Sequence, residues 1–175
     1  ITWTASFTPA SNESSSGNRI SLDLTGLSDS AGNTGTGSTQ SPGFAVDTQV
    51  PSLIGPIAIS DTNLGKGESA TLTFTFSEAV SGFTLEDILA PNGTVTNLVS
   101  TDGGTTWTAS FTPNGDTAAA TNAISLNLAD ITDSAGNSGS GTVPSATYAV
   151  DTASPSLISI VFADNNLQVG ETSLV

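Results

Sequence analysis

Residues Thr106–Pro113 read TWTASFTP, and the same eight letters occur at Thr2–Pro9, 104 positions earlier in the chain. A period of this length is that of a whole domain, because the units of solenoids and propellers run from roughly 20 to 50 residues. The chain is therefore a tandem array of domains. Two other stretches recur at the same spacing: SDSAGN at Ser28–Asn33 as TDSAGN at Thr132–Asn137, and AVDT at Ala45–Thr48 as AVDT at Ala149–Thr152.

The repeat divides the chain into one complete copy and two incomplete ones. Residues Ile1–Val50 are the C-terminal half of a copy, Pro51–Ser154 is the complete copy, and Pro155–Val175 begins the next one. One period is long enough to form a domain with its own core. The connectors between copies, DTQVP and DTASP, are short and contain proline, which predicts stiff joints.

Alternating apolar residues predict β-strands throughout the repeat. In ATLTFTF, at Ala70–Phe76, the leucine and both phenylalanines share one face and the threonines share the other. Trp107 is expected to anchor the core, the alternative being an exposed platform for a ligand. An all-β, antiparallel Ig-like β-sandwich with about seven strands per repeat follows. The predicted strand segments are Leu53–Ile59, Ala70–Phe76, Phe83–Leu89, Thr94–Val99, Thr105–Thr112, Ala123–Leu128 and Thr147–Val150.

The composition excludes several classes of function. The chain has no cysteine and no histidine, and 16 acidic residues against 2 basic ones give a formal charge of −14. Disulfides, zinc sites and histidine catalysis are therefore ruled out. Nucleic acid and anionic membranes are repelled by such a field, and no apolar run is long enough to be inserted in a membrane. Plain solubility, as in a halophilic or marine source, is an alternative explanation of the acidity.

The acidic residues concentrate at the joints between copies. Asp29 lies in the SDSAGN loop, Asp47 ends the last strand of its copy, and Asp61 lies in the turn that opens the next copy. We expect these three carboxylates to meet at the first joint. The second joint repeats the set with Asp133, Asp151 and Asp164.

Carboxylates that are drawn together need a counter-charge, and two basic residues cannot supply it. A calcium ion can, because Ca²⁺ takes roughly 6–8 oxygen ligands, and the absence of His and Cys disfavours zinc or copper. Asn33 and Asn137 can add amide oxygens. The alternative is that DSAGN is only an Asx-turn, whose aspartate accepts hydrogen bonds from its own loop. A weaker candidate set consists of Glu78, Glu86, Asp87 and Asp102.

An enzyme is disfavoured by the same inventory. Without His or Cys, only carboxylate pairs, hydroxyl groups and Tyr148 remain to perform chemistry. The acidic residues recur with the repeat, which fits metal bridging better than a single active cleft. No signal peptide is visible, but the sequence begins inside a domain and would not show one.

Four strings carry a resemblance to a known family: TLTFTFSEAVSGFTLEDI, NGTVTNLVSTDGGTTWTASFTP, SDSAGN and AVDTQVPS. Together they resemble the bacterial Ig-like repeats of very large secreted adhesins, which include biofilm-associated proteins and the extender regions of type I-secreted RTX adhesins. The resemblance covers essentially the whole chain. It implies β-sandwich modules joined end to end, calcium in or near the joints, and an extracellular stalk at the bacterial surface. Asp29, Asp47, Asp133 and Asp151 fall where the family has its acids.

The leading hypothesis is therefore structural: a calcium-stiffened spacer that supports adhesion or biofilm formation, with neighbouring repeats of the same chain as its partners. The alternative is a binding module, in which the threonine-rich faces and Trp107 recognise a glycan or a neighbouring adhesin chain. Receptor binding by the whole protein would belong to domains outside these 175 residues.

Overall fold

The computed structural model describes residues 2–174, which form an almost purely β structure. Apart from one 3₁₀ turn at Leu85–Asp87 these residues contain no helix, and hence none that is suited to crossing a bilayer. The strands are β1 (Ser14–Asn18), β2 (Ser21–Asp23), β3 (Ser38–Gln40), β4 (Phe44–Asp47), β5 (Ala58–Ile59), β6 (Asn63–Gly65), β7 (Ala70–Thr75), β8 (Ile88–Leu89), β9 (Gly93–Ser100), β10 (Thr106–Pro113), β11 (Ala118–Asn122), β12 (Ser125–Asn127), β13 (Thr142–Pro144) and β14 (Tyr148–Asp151).

The complete copy is a sandwich of two β layers. One layer is the sheet β5-β7-β10-β9, and the other combines the sheets β11-β14-β6 and β13-β12-β8. All strand pairs are antiparallel except β14 with β6, which is parallel. The predicted all-β sandwich is therefore confirmed, with one parallel pair that the prediction did not include.

The core lies between the two layers and is rich in aromatic rings. Phe74 of β7 and Phe111 of β10 are fully buried, as are Leu126 of β12 and Ile131. The alternation of buried and exposed residues along β7 is the pattern of a strand with one face against a core. Burying each of these large side chains contributes roughly 1.5–3 kcal/mol to folding.

Trp107 belongs to this core, as predicted. Its indole ring packs edge-on against Phe83, with ring centroids 5.3 Å apart, and Phe83 in turn contacts Phe74 and Phe76. The indole Nε1–H donates a hydrogen bond to the Gly104 carbonyl at 2.9 Å. The side chain is half-buried, and its polar atom is satisfied.

The predicted strand boundaries were wrong in two respects. The first predicted strand shrinks to β5, because most of Leu53–Ile59 is irregular chain held by isolated bridges. Three strands, β6, β11 and β13, were not predicted at all. Strand β11 reads AAATN, a sequence without the apolar alternation that predicts a strand. It is a strand because it pairs with β14 and not because of its own propensity.

The incomplete first copy retains only its local pairings. The pairing of β1 with β4 repeats that of β11 with β14, bulge included, and β2 with β3 repeats β12 with β13. Thr2–Pro9, however, forms no strand, although Thr106–Pro113 with the same sequence is β10. Trp3 is 90% exposed and Phe7 is 58% exposed. In residues 2–174 no equivalent of β7 or β9 pairs with this octapeptide.

Tyr148 provides a test of the core by alkaline titration. Its hydroxyl donates to the Pro91 carbonyl, and burial raises its pKa to about 12. Because this exceeds the ordinary tyrosine pKa of about 10, stability from the neutral phenol is complete below pH ~10 and is lost as pH rises towards about 12. Tyr148 is the single tyrosine of the chain, so ultraviolet absorbance should report one midpoint near the raised value.

Tyr148→Phe should remove this alkaline loss while lowering the free energy of unfolding at neutral pH by about 1 kcal/mol, the contribution of one hydrogen bond. A folded-state midpoint at the ordinary tyrosine pKa would contradict the buried placement.

Candidate metal centre at the joint between copies

Three carboxylates from two copies meet at the first joint. Asp47 ends β4 of the first copy, whereas Glu78 follows β7 and Asp133 opens a loop of the complete copy. One carboxylate oxygen of each residue lies within 4.8 Å of the other two, and within residues 2–174 this is the one such group of three acidic residues. Asp133 is buried, with 4% of its surface exposed, and the other two are half-buried.

The DSAGN loop holds Asp133 rigidly. Its Oδ1 accepts hydrogen bonds from the backbone amides of Ala135, at 2.8 Å, and Asn137, at 2.9 Å. Its Oδ2 accepts from the Asn137 side-chain amide at 2.7 Å. Gly136 adopts a φ of 90°, a conformation that glycine accepts without strain, so the loop can close over the carboxylate. This is the Asx-turn that the sequence allowed, and it places Asp133 at the joint.

Glu78 is brought to the joint by the end of β7 and the connector beside it. The Ser77 amide donates to the Ser52 carbonyl at 2.8 Å, and the Ile54 amide donates to the Thr75 carbonyl at 2.7 Å. In return the Ser52 amide donates to the Ser77 hydroxyl at 3.1 Å. The residues that follow the connector are therefore hydrogen-bonded to the chain that leads from β7 into Glu78.

One further contact joins the first copy to the second, and another seats the connector DTQVP on the complete copy. The Asn137 side-chain amide donates to the Asp47 carbonyl at 3.2 Å. Pro51 is fully buried, and a Cβ on Gly139 would lie 3.2 Å from the Pro51 carbonyl oxygen and 2.8 Å from that of Leu128. Only glycine allows the loop and the connector to approach this closely.

The cluster carries an electrostatic cost. Burial raises the pKa of Glu78 above its ordinary value, and the neighbouring Asp133 and Asp47 raise it further. Burial also raises the pKa of Asp133, but hydrogen bonds from Asn137, Ala135 and Gly136 outweigh this effect and hold that pKa below its ordinary value. The chain has only two basic residues that could offset this cost, and one of them, Arg19, donates to the Ser41 carbonyl of the first copy instead.

The structure groups the predicted aspartates differently. Asp29 and Asp61 do not join Asp47; the loop aspartate that meets Asp47 comes from the following copy, as Asp133. Asp29 is exposed and accepts from the Asn33 amides and from Ala31, the same loop bonds that Asp133 makes. The remaining aspartates accept from nearby backbone amides, Asp61 from Asn63, Asp151 from Ala153 and Asp164 from Asn166.

The weaker candidate set is also divided. Glu78 joins the cluster, whereas Glu86 is exposed outside it. Asp87 is buried and caps the 3₁₀ turn, accepting from the Thr84 amide and hydroxyl. Asp102 accepts from the amides of Thr105 and Thr106 at a tight turn. Asp87 and Asp102 therefore stabilise local backbone.

The donor set fits a hard divalent cation. All three side chains offer carboxylate oxygens, which calcium and magnesium prefer, and the chain contains no His or Cys to favour a softer metal. Three carboxylates leave several positions of a calcium shell to backbone carbonyls and water. Because the oxygens come from two copies, an ion held there would bridge the joint.

Comparison with known proteins identifies a family. The sequence profile described as bacterial Ig-like domain matches residues 1–46 and 47–150. Its two matches divide the chain between residues 46 and 47, a little before the boundary after Val50 chosen from the repeat. Asp47 lies at this division, but it ends β4 and pairs with Ser14 of β1, so the first copy holds it in place. No curated protein and no solved structure matches the chain. Domains of this family are generally structural modules without catalytic activity.

Replacing Glu78 by glutamine tests the repulsion in the cluster. In chelator, the raised pKa means that stability is complete below the ordinary glutamate pKa of about 4.3 and falls as pH rises through the raised value. Asp133 has the opposite dependence, since its contribution is lost as pH falls through its depressed pKa. At neutral pH, Glu78→Gln should raise the free energy of unfolding by roughly 0.5–1 kcal/mol, allowing for solvent screening.

Thermal melting against pH measures this difference, and Glu86→Gln is the control because Glu86 is exposed outside the cluster. Equal melting temperatures for the Glu78 variant and the unmodified protein at neutral pH would show that the three carboxylates do not repel one another.

Proposed function

The chain belongs to the bacterial Ig-like domain family, and we propose that it is an extender segment of a bacterial surface protein whose joints are stiffened by calcium. The observation that supports this proposal is the composition of the acidic cluster. Asp47 belongs to one copy, and Glu78 and Asp133 belong to the next. A ligand of all three carboxylates therefore binds only when the copies are docked.

Calcium would supply positive charge that the side chains lack. Glu78, Asp133 and Asp47 would hold it, and its binding would turn mutual repulsion across the joint into attraction. An ion that binds only the docked arrangement stabilises it by RT ln(1 + [L]/Kd). Such a joint would be stiff in calcium and looser without it.

The biological setting follows as part of the same proposal. Modules of this family are typical of extracellular surface proteins. A row of stiffened copies would hold an adhesive domain away from the cell and support adhesion or biofilm formation. Its immediate partners would be the neighbouring repeats, and the long acidic stalk fits an RTX-type adhesin exported by type I secretion.

The matched aspartates of the two copies provide the test. Asp133 and Asp29 make the same hydrogen bonds within identical loops, but only Asp133 lies in the cluster. Calcium at 100 times its Kd should stabilise the protein by about 2.7 kcal/mol and thereby raise the melting temperature. Asp133→Asn should remove most of this gain, whereas Asp29→Asn should retain it.

Small-angle scattering of the same three proteins, with calcium and with chelator, measures the maximum dimension. We expect calcium to lengthen the unmodified protein and the Asp29 variant only. A melting temperature and a maximum dimension that are both insensitive to calcium would sink the proposal, and an equal response to magnesium would change the ion but not the mechanism.

Homotypic cohesion is a second candidate, favoured by the edge of one sheet. Among the strands in residues 2–174, β9 pairs only with β10, and its eight residues carry no charge. Val99 is 51% exposed on this strand. An edge of this kind can pair with a second chain, although Asn97, with φ of 55° beside a register shift, twists it and limits the pairing.

Sedimentation equilibrium tests this second candidate. If β9 pairs between chains, the protein should self-associate with rising concentration, and Val99→Lys should abolish the association by placing a charge at the edge. Thr71→Lys, on the exposed face of the central strand β7, is the control. A monomer at every concentration would remove homotypic pairing through β9.

A further inference from the structure

The joint contains a direct contact between copies that requires no ion. The Asn137 side chain lies between two acceptors, the Asp133 Oδ2 of its own loop at 2.7 Å and the Asp47 carbonyl of the preceding copy at 3.2 Å. Its backbone amide also donates to Asp133 Oδ1 at 2.9 Å. One residue thus fixes both a carboxylate of the cluster and the backbone that carries another.

The second hydrogen bond of the amide group is specific to the joint. In the first copy Asn33 makes the same loop bonds, from its backbone amide to Asp29 Oδ1 at 2.9 Å and from its side chain to Asp29 Oδ2 at 2.8 Å. The connector that would face Asn33 lies before residue 1, so the first copy shows the loop with its own bonds alone. The loop closes without a connector, and the Asn137 bond to Asp47 is an additional interaction.

The surrounding contacts show that the connector is seated on the following copy. Pro51 is buried, and its carbonyl oxygen approaches Gly139 closely. The equivalent Gly35 is similarly close to the Leu24 carbonyl of its own copy, and the connector that would lie beside it precedes residue 1. The contacts that hold the connector on the following copy are made by backbone and amide groups, so they do not depend on the charge of the cluster.

We propose that Asn137 is a positioning residue, a metal-independent latch that holds the connector on the following copy and presents Asp47 to Glu78 and Asp133. The presentation of a metal site rests on the proposed function, whereas the latch itself does not. Without calcium, the joint would keep the connector seated and lose only part of its stiffness. With calcium, the latch would raise affinity by arranging the ligands in advance.

The test compares Asn137→Ala with Asn33→Ala, which removes the same loop bonds but no bond across the joint. In chelator, hydrogen exchange of the Ser52 and Ile54 amides should be about fivefold faster in the Asn137 variant, as expected for the loss of one hydrogen bond. The Asn33 variant should leave these amides unchanged. Equal exchange in all three proteins, or equal acceleration by both variants, would overturn the latch.

A calcium titration of the same proteins separates the two proposals. Asn137→Ala should weaken calcium binding about tenfold, the lower end of the effect of removing a group that orients a metal ligand, and Asn33→Ala should not. If the unmodified protein binds no calcium, the proposed function fails and the exchange data alone decide on the latch. If both variants bind calcium like the unmodified protein, Asn137 does not position the site.

Nuclear magnetic resonance of the unmodified protein adds a measurement that needs no variant to fold. In chelator, the side-chain amide protons of Asn137 should exchange with solvent more slowly than those of Asn33, because only Asn137 has two acceptors, one of them in the connector. The same exchange rate for the two amide groups would contradict the cross-joint bond.

Discussion

The structure depends on the placement of one octapeptide between two partner strands. Thr106–Pro113 pairs with β7 on one side and β9 on the other, and this pairing buries Phe111 completely against Tyr148. The same eight residues at Thr2–Pro9 form no strand, and the phenylalanine there remains more than half exposed. Identical local propensity gives two structures, so the strand is specified by its neighbours in the sheet.

The core in turn fixes the geometry of the joint. Strand β7 is anchored in the core by Leu72 and Phe74, and Glu78 lies just after its end. Ile131 is fully buried just before the DSAGN loop, so Asp133 is held at the same end of the sandwich by a core residue. Just after the connector, Ile54 bonds to the end of β7 at Thr75, and Ser52 bonds to Ser77 beyond it. Packing within one copy therefore sets where the preceding copy can dock.

Much of the fold could be predicted from the sequence, because alternation and repetition are local signals. The alternation in Ala70–Phe76 predicts one apolar strand face, and the spacing of Trp107 and Phe111 predicts another. Strand β11 could not be predicted, since its alanines acquire strand geometry only by pairing with β14. The shortening of the first strand to β5 also depended on distant partners, since Leu53 and Ile57 are held only by single bridges to Phe76 and Ser145.

The acids of the joint were recognisable, but their grouping was not. Repetition shows that Asp29 and Asp133 are equivalent, and it does not show which end of the sandwich their loop occupies. Because the loop lies where the chain enters its copy, Asp133 meets Asp47 of the copy before. Strand direction was the available signal. The end of β7, which Glu78 follows, lies beside the incoming connector. A loop bridged to the chain after β7 must therefore face the preceding copy. Ser81 and Thr132 form that bridge.

The balance of forces at the joint explains why a latch and an ion have different roles. Two carboxylates near 4 Å repel by about 4 kcal/mol at an effective dielectric of 20, and by less where solvent screens them. One hydrogen bond from a neutral amide to a carbonyl contributes about 1 kcal/mol. The Asn137 bond can therefore orient the connector, but it cannot offset the repulsion within a fully ionised cluster. The same repulsion, together with burial, raises the pKa of Glu78. Protonation of Glu78 would only remove repulsion, whereas a bound cation would add attraction across the joint.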